Sequence, residues 1–569
     1  MKHFNILNRR AFLSQSFKTS MAVALSTLVD IPFVMKRALA EGSIGLNGKK
    51  ILFIWLRGAN DGLNSVIPVE DPTYYSIRQQ IAIQKELSVN YAGTTGGCFD
   101  ATQYTSDAAQ TLRSAADNTY SYDRAIRLGN GFAALHPSLK FLAPLYNAGD
   151  LALIHRVAYP KQSRSHFDSQ NYWENGNPNN NLSKDGIFYR TIMESGLANS
   201  APLTGVSIQS ALPLILRGSD AAMTNLTSPT RYDLLGVPTP AGDNKAYAAI
   251  GAANYYPFPA KRSRELLDLQ YQNMSNTLRI FANIDFSETG NTFRDNAVTD
   301  ADQEWYNANG NQGYYLFPTS SAKNGGWQRP GTGGQNANKY VVPTGNQGFF
   351  GNLKAAAMIL NKTDALIAGT ELGGFDTHQT QGGAAGAHSN LQRTIGWSMY
   401  ALRKYFQNYA DKATWDNTLV ITLSEFGRTS VENSDDGTDH AEAGVMFVAG
   451  GGVKGYGQGN THGVFGCSTA ETIAWKPYAR TTQASTCGTM FAAGFPESAT
   501  TVNPVTAGYL RRSCDFRSIL GEAIRDHLGA TQNQLNRIIP GYANPTEYLL
   551  SGGISSVDGV RISGEVGIL

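Results

Sequence analysis

The sequence has little charge and no block of charge of one sign. Charged residues make up 16% of its 569 residues, and 47 lysines and arginines nearly balance 45 aspartates and glutamates, which gives a net charge of +2. A chain without a basic cluster lacks the electrostatic footprint of a nucleic-acid-binding protein, so we expect no nucleic-acid partner. With 59 glycines, the composition is that of a loop-rich globular protein rather than a disordered or coiled-coil one.

Cysteine is also scarce. The four cysteines, Cys98, Cys467, Cys487 and Cys514, show no C-x-x-C spacing, which argues against a zinc ribbon or a thioredoxin-like motif. In an oxidising compartment a disulfide is allowed. Cys467 with Cys487 is the pair we favour, although the sequence alone does not fix the connectivity.

Long apolar runs are missing from the chain after its first forty residues. Spanning a bilayer takes roughly 20 consecutive apolar residues, and no later segment reaches that length. We therefore expect that the processed protein is not an integral membrane protein.

Residues 1–40 carry the features of a twin-arginine (Tat) export signal. NRRAFL at 8–13 provides the paired arginines, a moderately apolar stretch follows, and ALA at 38–40 is a small-residue cleavage site. The alternative is an N-terminal membrane anchor, against which Asp30 and Pro32 argue. We therefore predict a cleaved signal peptide, the Tat translocase as a partner during export, and a periplasmic or secreted protein.

Several short apolar runs predict buried strands. They are rich in large apolar residues and too brief for helices. Between them lie segments whose apolar residues recur at helical spacing. The predicted strands are 51–56, 151–157, 365–370, 419–423 and 445–450, and the predicted helices are 137–149, 351–361, 389–411 and 516–528. This alternation predicts an α/β fold in which a mostly parallel central sheet is flanked by helices.

We assign residues 41–540 to one large α/β domain. Within it the pattern loosens at 180–348, where Asn, Gly, Tyr and Pro accumulate and a helix at 262–283 is the clearest element. This composition predicts a helical and irregular cap insertion. Residues 541–569 are predicted to be a polar C-terminal tail.

Acidic and imidazole side chains accumulate where the predicted strands end or begin. In open α/β sheets, ligands bind just beyond the carboxyl ends of the strands. Carboxylates mixed with imidazoles favour Zn, Mn or Fe, whereas an all-oxygen set would favour Ca or Mg. The alternative is that each acid caps a turn or lies in a solvated loop. The predicted metal ligands are Asp61, Asp376, His378, Glu425, Asp439 and His440.

Five polar motifs stand at or near these strand ends. They are RGANDGLN at 57–64, SRSHFD at 163–168, GGFDTHQ at 373–379, SEFGRT at 424–429 and TDHA at 438–441. Together they resemble an uncharacterised family of Tat-exported bacterial proteins that is grouped with the alkaline phosphatase and sulfatase superfamily. The similarity covers most of residues 45–540 and implies an alkaline phosphatase-like fold.

The resemblance implies roles for the metal-binding candidates. Asp61, after the first strand, resembles the first metal-binding aspartate of the superfamily. Asp376 and His378 resemble the Asp and His pair of the other metal position, although the superfamily usually separates that pair by three residues.

The strand at 419–423 is similar to one that normally ends in Asp-His in the superfamily. Here Glu425 takes the place of the acid and Phe426 that of the imidazole. His440 resembles the last metal-binding histidine. A second alignment instead makes Asp439-His440 the Asp-His pair itself, and both alignments stay open.

The resemblance also implies a nucleophile at a helix start near the metals. Ser165 is the preferred candidate, with Ser163 as the alternative, and His166 beside it is also predicted to be catalytic. The other possibility for the Ser165 hydroxyl is a purely helix-capping role. No Cys-x-Pro-Ser-Arg run is present, which argues against a formylglycine sulfatase.

Arginine side chains near the motifs are candidates for binding an anionic group through their fork geometry. Arg57, Asn64 and Arg164 are predicted to contact substrate, and Arg428 is predicted to stabilise transition-state charge. Alternatively, each arginine pairs with an acid.

The residues and the resemblance together predict an exported metal-dependent hydrolase of phosphate or sulfate esters, with a serine nucleophile assisted by metal and arginine. The alternative is a non-catalytic, exported cell-surface protein that keeps the scaffold to bind or assemble with a polysaccharide or a partner protein.

Overall fold

The structure, a computed structural model, describes most of the chain after its first 43 residues. The described residues are 44–68, 72–84, 125–128, 133–197, 203–221, 223–228, 280–281, 284–286, 293–295, 314–319, 342–458, 463–466, 509–510 and 512–569. The predicted signal peptide, the predicted disulfide of Cys467 with Cys487, and nearly all of the predicted helix at 262–283 lie outside them.

Sixteen strands occur in the described part of the chain. In chain order they are β1 Lys50–Leu56, β2 Val66–Ile67, β3 Ile126–Arg127, β4 Ala134–Leu135, β5 Leu151–Ala158, β6 Gly205–Ile208, β7 Thr224–Leu226, β8 Arg294–Asp295, β9 Tyr314–Tyr315, β10 Ile367–Leu372, β11 Thr418–Leu423, β12 Gly444–Ala449, β13 Val464–Phe465, β14 Cys514–Asp515, β15 Gly553–Ile554 and β16 Arg561–Ile562.

Helices alternate with the longer strands. The α-helices are α1 Pro72–Ile77, α2 Ala143–Asn147, α3 His166–Asn175, α4 Ile187–Ser195, α5 Gln347–Lys362, α6 Ala387–Asn408, α7 Phe516–Glu522 and α8 Gln532–Ile538. Three 3₁₀ helices, Pro137–Leu142, Leu214–Leu216 and Thr344–Asn346, and one π-helical segment, Ala523–His527, complete them.

Nine strands form one central sheet in the order β13-β5-β12-β11-β1-β10-β6-β7, and β14 also pairs with β5. The pairs of β1 with β10 and β11, of β10 with β6 and of β6 with β7 are parallel. Only β12 runs against its neighbours, since it is antiparallel to both β11 and β5. The prediction of an α/β fold with a mostly parallel central sheet is confirmed.

The sheet is buried on both faces, which explains why its strands are continuous apolar runs rather than alternating ones. Every residue of β1 is buried. Leu52 and Ile54 pack into one core layer with α5 and α6, whereas Ile51 and Phe53 pack into the other layer with α4 and α7. Burying each such side chain contributes about 1.5–3 kcal/mol, so this double burial fixes the sheet on which the polar loops are mounted.

The predicted cap at 180–348 contributes to the sheet itself. β6 and β7, which lie in that range, extend the sheet beyond β10. α4 packs beneath them, and Ile187, Phe188 and Ile192 are fully buried in the core. The part of this range that the structure describes up to residue 228 therefore belongs to the α/β domain.

The C-terminal residues also pack on the domain. The buried carboxylate of Glu522 accepts hydrogen bonds from the backbone amides of Val566, Gly567 and Leu569 at 3.0–3.2 Å. Leu549, Ile562 and Ile568 are fully buried. Residues 541–569 are thus anchored rather than a free tail, because their apolar positions fill the core layer beside α7.

Two further features bear on the predictions. Cys514 is buried, and its Sγ lies 3.8 Å from the hydroxyl of Ser563. Among the described residues, none of the helices combines the length and apolar character needed to cross a bilayer.

Candidate metal centre

The candidate site lies at one edge of the central sheet. β1, β10 and β11 are parallel, so their carboxyl ends meet at this edge. β5 runs in the same direction because it and β11 are both antiparallel to β12, which begins at this edge. The polar segments after β1, β5, β10 and β11 and before β12 are therefore brought together, as ligand sites in open α/β sheets require.

His166 reaches this edge from the first position of α3. Ser165 caps the helix: its backbone is extended (φ −86°, ψ 126°), and its Oγ accepts a hydrogen bond from the amide of Asp168 at 3.4 Å. Gly176 ends the helix with φ 64°, a left-handed conformation that glycine adopts without strain. The helix start thus places the imidazole of His166 over the ends of β10 and β11.

Three imidazole rings are held in the same way, through Nδ1. Nδ1 of His166 lies 2.9 Å from Oε1 of Glu425, and Nδ1 of His378 lies 2.8 Å from Oδ1 of Asp439. Nδ1 of His440 lies 2.9 Å from the backbone carbonyl of Arg164. All three partners are oxygen acceptors, to which Nδ1 donates a hydrogen bond in the tautomer that carries the ring hydrogen on Nδ1.

The other nitrogen of each ring is directed at Asp376. Nε2 of His378 and of His440 lie 3.0 and 3.1 Å from Oδ1 of this carboxylate, and Nε2 of His166 lies 3.4 Å from Oδ2. In a neutral ring with Nδ1 protonated, Nε2 presents a lone pair. In that tautomer three lone pairs face one carboxylate, an arrangement that a shared cation would stabilise.

Asp376 is held as an ionised carboxylate. Burial alone would raise its pKa, but the hydrogen bond from Arg428 and the charge of its guanidinium lower it to about 2. Nη1 of Arg428 donates to Oδ1 at 2.7 Å, and the arginine side chain is fully buried while Asp376 is 44% exposed. The carboxylate therefore stays charged and open to the solvent side of the centre.

His166 contains the clearest orphaned atom. Its Nε2 is buried and has no hydrogen-bond partner among the described residues. The hydrogen bond to Glu425, opposed by burial, raises the pKa of the ring. An unmatched buried nitrogen normally costs about 1–3 kcal/mol, and this one lies beside the ionised carboxylate of Asp376.

His166, Asp376 and His440 fit a metal ion. Each offers one ligand atom, and these three atoms all lie within 4.8 Å of one another. Imidazole nitrogen with one carboxylate oxygen suits Zn, Mn or Fe. His378 adds a third nitrogen, its Nε2, 2.9 Å from Nε2 of His440. Metal-binding histidines usually donate a hydrogen bond from the ring nitrogen that does not bind the metal, and the oxygens next to Nδ1 of these rings would accept such bonds.

The floor of the centre is apolar. The ring of Phe426, which is 1% exposed, lies 4.9 Å from the ring of His166 and 4.8 Å from that of His440, centroid to centroid. Phe426, which the sequence resemblance aligns with an imidazole, thus packs against two other imidazoles.

The structure does not bring Asp61 into this group. Its buried carboxylate accepts two hydrogen bonds from Arg78, at 2.6 and 3.0 Å, and others from Gln381 at 2.7 Å and the amide of Leu63 at 3.1 Å. Burial raises its pKa, but the Arg78 guanidinium lowers it to about 2. Asp61 therefore has a structural partner in place of the predicted metal.

Glu425 and Asp439, also predicted as ligands, lie behind the rings rather than among the Nε2 atoms. Oε1 of Glu425 accepts from the amide of Gly58 at 2.8 Å and from Gln170 at 3.1 Å as well as from His166. Asp439, 56% exposed, accepts from His378 and from Asn433. Their contacts assign them to orienting the imidazoles.

The predicted nucleophile lies in the loop that delivers His166. Ser165 Oγ is engaged in capping α3, and Ser163 Oγ accepts from the amide of Ser165 at 3.2 Å. These contacts match the capping alternative, in which the hydroxyls shape the loop. A nucleophilic role for Ser165 stays a prediction.

The predicted anion-binding residues have different surroundings. Arg57 pairs with Glu174 and Glu371 and stacks over Trp55. Arg428, besides holding Asp376, donates to the carbonyl and hydroxyl of Thr438.

Asn64 is buried, and its Oδ1 accepts from Tyr74 and Arg78. Arg164 differs from these residues because it is exposed, with its guanidinium 4.8 Å from the Tyr509 ring centroid. Among the three predicted arginines, Arg164 is the one whose side chain is exposed.

Several residues of the site had no signal in the sequence. Arg78 lies in a stretch with the composition of a surface insertion, yet it is completely buried against Asp61. Gln381 and Thr438 link that pair to Arg428 through hydrogen bonds of 2.7–3.2 Å. An isolated arginine or glutamine carries no periodicity, so sequence reasoning missed them.

Comparison with known proteins gives one match. Residues 268–472 match the model of a family described as "Protein of unknown function (DUF1501)". The matched segment contains Asp376, His378 and His440 but not His166. No curated protein and no solved structure was found to match the chain. The match supports an uncharacterised family and assigns no activity.

Proposed function

We propose that the protein is a metal-dependent hydrolase whose centre is built on His166, Asp376 and His440, with His378 beside them. One observation carries the proposal: three rings are each anchored through Nδ1 and each direct Nε2 at one ionised carboxylate. A structural role alone would not require three lone pairs to converge.

A divalent cation held there would supply Lewis acidity toward an ester oxygen and its leaving group. The chain's own residues prepare the place. Glu425 and Asp439 orient two rings, and Arg428 fixes Asp376 and keeps it ionised. Phe426 packs against two of the imidazoles. Preorganised groups of this kind lose little energy in reorganisation when charge develops.

Phosphate or sulfate esters are the proposed substrates. The sequence motifs resemble the alkaline phosphatase and sulfatase superfamily, and we propose an alkaline phosphatase-like fold on the same ground. In support, the backbone carbonyl of Arg164 accepts a hydrogen bond from His440, and the guanidinium of Arg164 is exposed and could bind an anionic group. Ser165, at the start of α3, is the proposed nucleophile, since helix amides favour an anion there.

We also propose export through the Tat pathway to the periplasm or the exterior. The twin arginines at 9–10 and the cleavage site at 38–40 support this part of the proposal.

The test combines metal analysis with a substrate screen. Protein purified from its export pathway is analysed by inductively coupled plasma mass spectrometry and assayed on aryl phosphate and aryl sulfate esters. His440→Ala and Asp376→Asn are expected to lose both bound metal and activity. Asp435→Asn, an exposed acid of the neighbouring loop, is the matched control and should retain both.

The outcomes separate the candidate functions. Hydrolysis that survives chelation and both substitutions would reject the mechanism. Stoichiometric metal without hydrolysis of any ester would favour the alternative, a non-catalytic protein that binds a polysaccharide or a protein at the cell surface.

A further inference from the structure

Arg78 fills a buried cage of oxygen atoms. All five of its N–H groups are used: two bind the Asp61 carboxylate, one binds Oδ1 of Asn64 at 2.7 Å, and two bind the backbone carbonyls of Thr429 and Ser430 at 2.7 and 2.9 Å. Neither Arg78 nor Asp61 is more than 1% exposed. A carboxylate, an amide oxygen and carbonyls are the ligands that a hard cation such as Ca²⁺ prefers.

No ligand capacity remains on Asp61. Its two oxygens accept four hydrogen bonds, two from Arg78 and one each from Gln381 and Leu63. A carboxylate has about four lone-pair positions, so a metal ion at Asp61 would have to displace the guanidinium. The second metal position that the superfamily resemblance implies does not fit the residues present.

We propose that the Arg78 guanidinium is a built-in cation that replaces a second metal, so that the protein holds one exchangeable metal ion. This inference rests on the proposed function for the first metal. The charge that a two-metal site would take from solution is here supplied by the chain, permanently, since an arginine is not deprotonated in proteins.

The built-in cation is connected to the centre. Gln381 donates from Nε2 to Asp61 at 2.7 Å and accepts from the hydroxyl of Thr438 at 2.7 Å. That hydroxyl oxygen in turn accepts from Nε of Arg428, which holds Asp376. Arg78 is thereby a positioning residue for the carboxylate on which the three histidines converge.

The first measurement is the metal stoichiometry of the full-length protein by mass spectrometry and by calorimetric titration with Zn²⁺. The wild-type protein is expected to bind one equivalent of metal. The Asp376→Asn variant should bind none, and the Asp61→Asn variant should still bind one equivalent. Two equivalents in the wild type, with one lost in Asp61→Asn, would overturn this inference and leave the proposed function intact. No metal at all would reject both.

The second measurement replaces the guanidinium. The Arg78→Ala substitution should leave the oxygen cage without its cation. Millimolar Ca²⁺ is then expected to raise the Tm of the variant by at least about 2 °C, with saturation, whereas the Tm of the wild-type protein should not change. Arg78→Lys keeps a cation and should be insensitive to Ca²⁺. Equal responses of wild type and Arg78→Ala would overturn the inference. If the Arg78→Ala variant does not fold, the inference is tested by the metal stoichiometry of the wild-type protein and by the response of the Arg78→Lys variant to Ca²⁺.

Discussion

The Nε2 atoms of His378 and His440 lie only 2.9 Å apart. Nδ1 of each ring lies within hydrogen-bond distance of an oxygen, and both Nε2 atoms face Asp376. A metal ion or a proton between the two rings would make this contact favourable, and the contact therefore supports the proposed metal site.

Metal should consequently stabilise the folded protein. Removal of metal with a chelator is expected to lower Tm, and Zn²⁺ in excess should restore it, since ligand at about 1,000 times Kd contributes about 4 kcal/mol. Differential scanning calorimetry checks this expectation. His440→Ala should show no response to either treatment, whereas a response identical to that of wild type would place the metal elsewhere.

Removing an acceptor behind a ring should weaken metal binding without removing a ligand. Glu425→Gln and Asp439→Asn are each expected to lower metal affinity by about 10- to 100-fold, because the ring nitrogen becomes less basic and less well oriented. Calorimetric titration measures the affinity, with Asp435→Asn as the control. Unchanged affinity in both variants would show that the acceptors do not act through the rings.

Close backbone packing holds two of the site loops together. A Cβ on Gly437 would lie 2.1 Å from the carbonyl oxygen of His378, which cannot move without displacing the ring. Gly437→Ala is therefore expected to reduce metal affinity and to lower stability by about 1–3 kcal/mol. Gly452→Ala, where a Cβ meets nothing within 4 Å, is the matched control; equal effects of the two substitutions would contradict the prediction.

The ionisation of Asp61 should make the free energy of unfolding depend on pH. Its pKa in the folded state is lowered from 3.8 to about 2. The ionised carboxylate therefore contributes fully to the free energy of unfolding above about pH 4, and this contribution is lost as the pH falls through about 2. The linked free energy is on the order of 2 kcal/mol. Urea unfolding of wild type and Asp61→Asn between pH 2 and 7 measures it. The stability difference between them should shrink toward low pH; a constant difference would reject the assignment.

The longer sheet strands and the helices that cover them were predictable from the sequence because burial on both faces produces continuous apolar runs. The predicted run at 419–423 corresponds to Thr418–Leu423, and the helix at 389–411 to Ala387–Asn408. β6 and β7 were not predicted, since strands of four and three residues carry too little pattern.

The candidate site was predictable in outline only. Asp376, His378 and His440 flank predicted strands, and the structure brings them together. The role of His166 was predicted as catalytic, and its ring instead lies among the candidate ligands. The separation of Asp61 from the centre depends on Arg78, whose burial is decided by tertiary contacts that no local pattern records.

The reversed direction of β12 has a consequence for biogenesis. Because β12 returns against β11, a single connection delivers Glu425, Arg428, Asp439 and His440 together, while β5, which precedes His166, joins the sheet beside β12. A nascent chain that has left the ribosome only as far as Asp376 lacks the strand that recruits β5. The proposed metal site can therefore be completed only after synthesis has passed residue 449, the end of β12.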